Sequence, residues 1–268
     1  MPLSFDTLGP TFDATRGLPP GVGNALVAAV RAMTGVEPGA RIIEPGVGTG
    51  RIATPFVAAG YEVWGIDISR PMLTACRAKL RATECTDDSW CLVQADVTAL
   101  PFLPGSFDLA LTASVLYLVS DWPRALAELW RVLRPGGSYV AITEASVSNA
   151  ALSAFDAKWR ELLGETRDQG ANIPIPDAAT TRWFAARGAT INEARVANWR
   201  RERTIGETLA SYSEQVRPLY PSLSTTDFAA TMALLAAWAA RTFATDREPL
   251  VCDITLNLSH VKMPPTSA

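Results

Sequence analysis

Three glycines and three carboxylates carry the chemistry legible in this chain. The run Ile42-Ile43-Glu44-Pro45-Gly46-Val47-Gly48-Thr49-Gly50-Arg51 reads as an apolar strand that ends in an acid, turns through alternating glycines and opens a helix. Val63-Trp64-Gly65-Ile66-Asp67 is a second strand ending in an acid, and Gln94-Ala95-Asp96-Val97 places a third. Without Cβ atoms, such a turn lets backbone N–H groups lie against a ligand at a helix N-terminus. Asp67 suits a ribose diol. Asp96 suits an adenine amino group.

Glycine spacing alone leaves two cofactors open. Gly48-Thr49-Gly50-Arg51-Ile52-Ala53 fits the G-x-G-x-x-A dinucleotide fingerprint, with Asp67 near the spacing expected for NAD. Glu44 argues against that reading. A carboxylate just before the first glycine repels a pyrophosphate but attracts an ammonium or a sulfonium, directly or through water. Adenine, ribose, a cationic centre and no phosphate describe S-adenosylmethionine.

These segments resemble the class I S-adenosylmethionine-dependent methyltransferases. Glu44 to Gly50 is similar to that family's acidic and glycine motif, Asp67-Ile68 to its ribose motif and Asp96-Val97 to its adenine motif. Ser106-Phe107-Asp108-Leu109-Ala110-Leu111 resembles its fourth-strand entry, and Arg131-Val132-Leu133-Arg134-Pro135-Gly136-Gly137 the turn before its fifth strand. The likeness runs in unbroken order over roughly residues 5–145. It implies a cofactor site of Glu44, Gly46, Gly48, Gly50, Asp67, Ile68, Met72, Asp96, Val97 and the Ser114 carbonyl. Phe12 and Arg16 resemble an N-terminal segment that some relatives fold over the cofactor, with Arg16 set to meet a carboxylate. Relatives often carry histidine after the fourth strand; here Val115-Leu116-Tyr117-Leu118 offers Tyr117 as a substrate contact. No catalytic base is legible.

The elements that must position these residues alternate. Strands are expected near 41–44, 91–95, 108–113 and 139–143. Helices are expected over 49–59, from the cap Ser69 with Pro71 in its first turn, and after Ser120-Asp121. Pro55 inside the 49–59 helix implies a kink or an irregular first turn. The pattern is α/β, a doubly wound Rossmann-like parallel sheet with ligands outside the carboxyl ends of its strands. The resemblance adds a seventh, antiparallel strand near 250–258 and the order 3-2-1-4-5-7-6. We expect one domain over 1–268. Its parts are a cofactor-covering segment (1–35), a cofactor core (40–145), helical substrate-cap segments with strand six (146–248), a closing strand (249–261) and a disordered tail (262–268).

Composition limits the alternatives. The chain has 268 residues, a formal net charge of −3, four cysteines and one histidine. No basic cluster suggests nucleic acid, and Arg200, Arg201 and Arg203 read as solvated or paired. No CxxC spacing suggests a metal or disulfide framework. No apolar run approaches the ~20 residues of a membrane span. A cytoplasmic enzyme acting on a small molecule follows. Trp159, Trp183, Trp199, Tyr212, Tyr220 and Trp238 in the C-terminal half suit an aromatic or lipophilic acceptor, although Trp238 reads as helix packing. The acceptor atom and oligomeric state are not legible. An NAD-dependent oxidoreductase and a noncatalytic protein on a methyltransferase fold are the competing readings.

Overall fold

The computed structural model describes residue 13 and residues 16–83, 86–164, 177–213, 223–243 and 249–265. Its elements run α1 (Val22–Thr34), β1 (Arg41–Pro45), α2 (Ala53–Ala58), β2 (Glu62–Asp67), α3 (Arg70–Arg81), β3 (Trp90–Gln94), β4 (Phe107–Ala113) and α4 (Trp122–Val132). They continue with β5 (Leu133–Ser148), α5 (Ala150–Leu162), α6 (Asp177–Ala185), β6 (Thr190–Arg203), α7 (Ile205–Ser211), α8 (Thr225–Thr242) and β7 (Leu250–Lys262). The seven strands form one sheet in the order β3-β2-β1-β4-β5-β7-β6, as expected. The pairs β1–β2, β1–β4, β2–β3 and β4–β5 are parallel. Early β5 meets late β7 (Met263 N–H to Gly137 O, 3.0 Å) and late β5 meets early β7 (Asn149 N–H to Val251 O, 2.8 Å), so β7 is antiparallel.

Two compact units divide the chain. The first comprises residues within 2–143, 174–197 and 256–268. Its core joins Ile43, Ile66 and Ala110 of the central strands to Leu126, Leu129 and Val132, the apolar stripe of α4. Strands covered on both faces are the reason β1 and β4 read as near-continuous apolar runs. Tyr139 stacks on Phe184 with ring centroids 4.9 Å apart, and its hydroxyl shares a buried 2.7 Å hydrogen bond with Thr112. The second unit comprises the described residues within 144–164, 198–213, 223–243 and 249–255. It buries Phe155 and Trp159 of α5, Ile205 of α7 and Phe228, Leu235 and Ala239 of α8 around one apolar cluster.

Four local expectations need correction. Helix α2 begins at Ala53, after irregular turns over 49–52, so Pro55 sits in the first helical turn. An N–H there has no intrahelical partner to lose, and proline is tolerated. Strand β5 absorbs the expected Arg134–Gly137 turn. Phe107 pairs with Leu133 and Leu109 with Ser138, so extra β5 residues bulge opposite a two-residue step in β4. Residues 262–264 are not a loose tail: Met263 is buried, and the Pro264 carbonyl accepts from Gly136 N–H at 2.9 Å. Pairing along the β5 edge fixes them. Trp183 serves the first unit's core, beside Trp130 and Phe184, whereas Trp159, Tyr212 and Trp238 pack together in the second unit. Phe12 and Tyr220 lie outside the described residues. No described helix is long and apolar enough to cross a membrane.

His260, the single histidine, is buried on β7 with Nε2 3.1 Å from Ser138 Oγ. Burial, helped by Lys262, lowers its pKa below the ordinary value of 6.5. The unfolded chain therefore binds this proton more readily. Stability from neutral His260 is present above about pH 6.5 and lost as pH falls through the folded value. His260→Gln is expected to flatten the fall in melting temperature between pH 7 and pH 5, by roughly 2–4 °C for each kcal/mol involved, as measured by differential scanning calorimetry.

Candidate active site

Strand β1 ends against the glycine turn, and β2 holds that turn in place. The amides of Gly46 and Val47 both donate to the Ile66 carbonyl, at 2.6 and 2.9 Å. Gly46 has φ +71° and Gly50 φ +81°, conformations that L side chains rarely adopt. Space is equally restrictive. A Cβ on Gly46 would lie 2.4 Å from Val115 Cγ2, and one on Gly50 would lie 2.7 Å from Cys76 Sγ. Gly48 has open space but φ +54°. The turn thus needs glycine by its own packing as well as for any ligand.

Asp67 braces the same turn. Its Oδ2 accepts the Gly48 N–H at 2.9 Å and its Oδ1 accepts the Ser69 N–H at 2.9 Å. Ser69 caps α3 as expected, its Oγ accepting from Met72 N–H at 3.3 Å. One carboxylate thus holds both the glycine turn and the start of α3. Next to it Ile68 is 45% exposed, an unusual setting for a large apolar side chain at a strand end. Gln94 donates to the Ile68 carbonyl at 3.0 Å, and Ala95 N–H to the Asp67 carbonyl at 3.2 Å, which ties β3 to this corner. Asp96 follows on the exposed loop, its Oδ1 accepting from the Thr98 amide and hydroxyl at 2.8 Å each. Val97 and Met72 are buried.

Beyond β4, Ser114 is the one described non-glycine residue with positive φ, at +54°. The strained residue sits where the resemblance assigns a carbonyl contact, and such strain concentrates at functional positions. Val115 follows it and closes on Gly46. Tyr117 lies half-buried in a short 3-10 turn, Leu116–Leu118.

Glu44 sits at the floor of this corner. It is 2% exposed, and its Oε2 has no hydrogen-bond partner among the described residues. Burial raises its pKa from 4.5 to about 8 against the opposing pull of Arg51; Asp67 pushes it further up, while the Ala53 N–H and Lys79 pull down. A carboxyl in this state is mostly protonated at neutral pH and waits for a positive partner. Cys76, under Gly50, is driven up to about 12 chiefly by burial, so its thiol is inert.

Contacts that sequence patterning missed complete the corner. Asp13 accepts from the Thr49 hydroxyl at 2.8 Å and forms an ion pair with Lys79 of α3. The Arg16 carbonyl accepts from the Arg51 guanidinium at 3.0 Å. Arg16 therefore lies beside the glycine turn, contributing its backbone there. The single sequence signal for Asp13 is its i to i+4 relation to Gly17, whose N–H it receives at 2.8 Å. No cluster of metal-binding side chains occurs among the described residues. Arg200 pairs with Asp253 and Arg203 donates to Ser211, as the sequence suggested.

Known proteins resemble this chain over the same span. A methyltransferase-domain family model matches residues 43–141, the span from β1 through β5 that holds the corner. The malonyl-(acyl-carrier protein) O-methyltransferases of Serratia marcescens and Enterobacter lignolyticus are 28% and 30% identical, over 73% and 59% of this chain and 71% and 68% of theirs. The demethylmenaquinone methyltransferase of Renibacterium salmoninarum is 32% identical over 59% of this chain and 63% of its own, so the chain spans less than two thirds of that relative. In fold, the chain resembles a Haemonchus contortus phosphoethanolamine N-methyltransferase solved with S-adenosylhomocysteine (TM-score 0.52, 16% identity, 97% of this chain and 60% of that one).

Two variants test the corner. The folded pKa of Glu44 exceeds its unfolded value, so its contribution to stability is full below about pH 4.5 and is lost as pH rises to about 8. Glu44→Gln is expected to raise the melting temperature relative to the parent chain more at pH 9 than at pH 5. Gly46→Ala is expected to cost at least ~1–2 kcal/mol in left-handed strain plus the clash. Adding Val115→Gly, which removes the Val115 Cβ (2.6 Å from the added atom) as well as Cγ2 (2.4 Å), recovers the clash alone, as urea unfolding would show.

Proposed function

The chain belongs to the class I S-adenosylmethionine-dependent methyltransferase family, and from that premise we propose that it binds S-adenosylmethionine at the glycine corner and methylates a small-molecule acceptor. The observation that carries the reading is the buried carboxyl of Glu44, whose Oε2 has no hydrogen-bond partner among the described residues, beside a turn held at positive φ by Gly46, Gly48 and Gly50. Such a floor suits a cation and disfavours a diphosphate. An isolated buried carboxylate is costly until a positive charge reaches it. The NAD reading requires the opposite charge preference at the same spot.

Roles follow from position. Glu44 meets the cationic end of the cofactor, directly or through water. Asp67, at the end of β2 beside the glycine turn, receives the ribose hydroxyls. The exposed Ile68 covers an adenine face, with Met72 and Val97 beneath. Asp96 and the Val97 amide address the adenine edge. The Ser114 carbonyl accepts from the methionine ammonium, and Arg16 stands at the carboxylate end. Bound here, the cofactor supplies a methyl group activated by sulfonium sulfur. The chain's task is then to hold the acceptor atom in line and exclude water, which is worth on the order of 7 kcal/mol or more in favourable cases. Tyr117, two residues after Val115, is the acceptor contact we assign. A small-molecule acceptor is supported by the relative named for demethylmenaquinone methylation, while those named for malonyl-(acyl-carrier protein) methylate an acyl group borne on a protein.

Calorimetry separates the readings. S-adenosylhomocysteine is expected to bind in the micromolar range, far more tightly than NADH. Absence of binding at millimolar ligand, or a preference for NADH, would overturn the cofactor assignment. Asp67→Ala is expected to weaken S-adenosylhomocysteine by at least tenfold, because it removes both a ribose acceptor and the brace on Gly48.

A further inference from the structure

Two cations influence the buried Glu44: Arg51, and Lys79 from α3. Left alone, each would repel a positively charged cofactor and neutralise the floor that attracts it. Lys79 is not left alone. Asp13, from outside every motif of the cofactor core, forms an ion pair with its ammonium, and Thr49 of the glycine turn links the two. The Thr49 hydroxyl donates to Asp13 Oδ1 at 2.8 Å and lies 3.4 Å from Lys79 Nζ, while Thr49 itself is 1% exposed. Asp13 is held in turn by its own backbone, since its carbonyl accepts the Gly17 N–H. A Cβ on Gly17 would lie 2.6 Å from that carbonyl oxygen, so the close turn requires glycine. The buried thiol of Cys76, beneath Gly50, is influenced by Glu44, Lys79, Asp67 and Asp13 together.

We propose that Asp13 is a positioning and specificity residue that masks the Lys79 charge beside the glycine turn, so that the site prefers the sulfonium cofactor over its uncharged thioether product. The proposal rests on the cofactor reading above. Methyl transfer moves a methyl cation from sulfur to the acceptor. The cofactor thus goes from one net positive charge, counting sulfonium, ammonium and carboxylate, to none. A site whose nearby lysine is masked feels that change as lost attraction, and releases product. A site with an exposed lysine ammonium penalises the charged form and loses the distinction. The ion pair is partly solvent-screened, with Lys79 and Asp13 side chains 29% and 38% exposed. Its effect on folding is therefore small, while its effect on a ligand within the same corner is not.

The test is calorimetric binding of S-adenosylmethionine and S-adenosylhomocysteine to the full chain and to Asp13→Asn, Lys79→Met and the double variant. Asn keeps an oxygen for the Thr49 hydroxyl and removes only the charge. Asp13→Asn is expected to lower the affinity ratio of the sulfonium ligand over the thioether about three- to tenfold, an effect that shrinks at 1 M salt. The double variant is expected to restore the parent ratio, because the lysine that Asp13 masked is gone. A purely structural role for Asp13 would weaken both ligands equally and leave the ratio unchanged. An unchanged ratio in Asp13→Asn, or failure of the double variant to restore it, overturns the proposal while leaving the cofactor reading intact. If the parent chain binds neither ligand, the cofactor reading and the proposal fall together.

Discussion

A carboxyl group with nowhere to place its charge governs this corner of the molecule. Glu44 is fixed at the end of a central strand, flanked by β2 and β4 and closed over by Ala53 and the glycine turn. Removing a carboxylate from water costs several kcal/mol unless a partner compensates. The chain accepts that cost by keeping the group protonated at neutral pH. Around it, Asp67 holds the turn through backbone amides, and Lys79 is engaged by Asp13.

The rigidity of the corner comes from the same residues that give it chemistry. Gly46 and Val47 hang on one carbonyl of β2, Gly48 hangs on Asp67, and Gly50 rests on Cys76. A site supported by strand ends and shared hydrogen bonds is preorganised, so ligand binding spends little on ordering it. The positive φ of Ser114 fits this picture, because packing of Val115 against Gly46 holds the backbone in a conformation it would not choose.

Sequence patterning exposed the parts of this arrangement that are local in the chain. Glu44, the glycines, Asp67 and Asp96 follow apolar runs whose ends are set by neighbouring residues, and parallel pairing brings those ends together. Long-range contacts were not legible. Nothing in the neighbourhood of Asp13 announces Lys79, sixty-six positions away, and no periodicity tells Val115 that it will close on Gly46. Punctuation by Pro135-Gly136-Gly137 was read as a turn, but partners on both sides, β4 and β7, keep those residues in a bulged strand. Trp183 looked like a pocket residue because aromatic side chains serve cores and ligand sites equally; its packing against Trp130 and Phe184 decides for the core.

The most direct test is the count of protons released when S-adenosylmethionine binds at pH 7, from calorimetric enthalpies in two buffers of different ionisation heat. With Glu44 starting near a pKa of 8 and ionising against a cation, about one proton should leave per ligand bound, and Glu44→Gln should abolish the release. Binding of normal strength with no proton released from the parent chain would contradict the account.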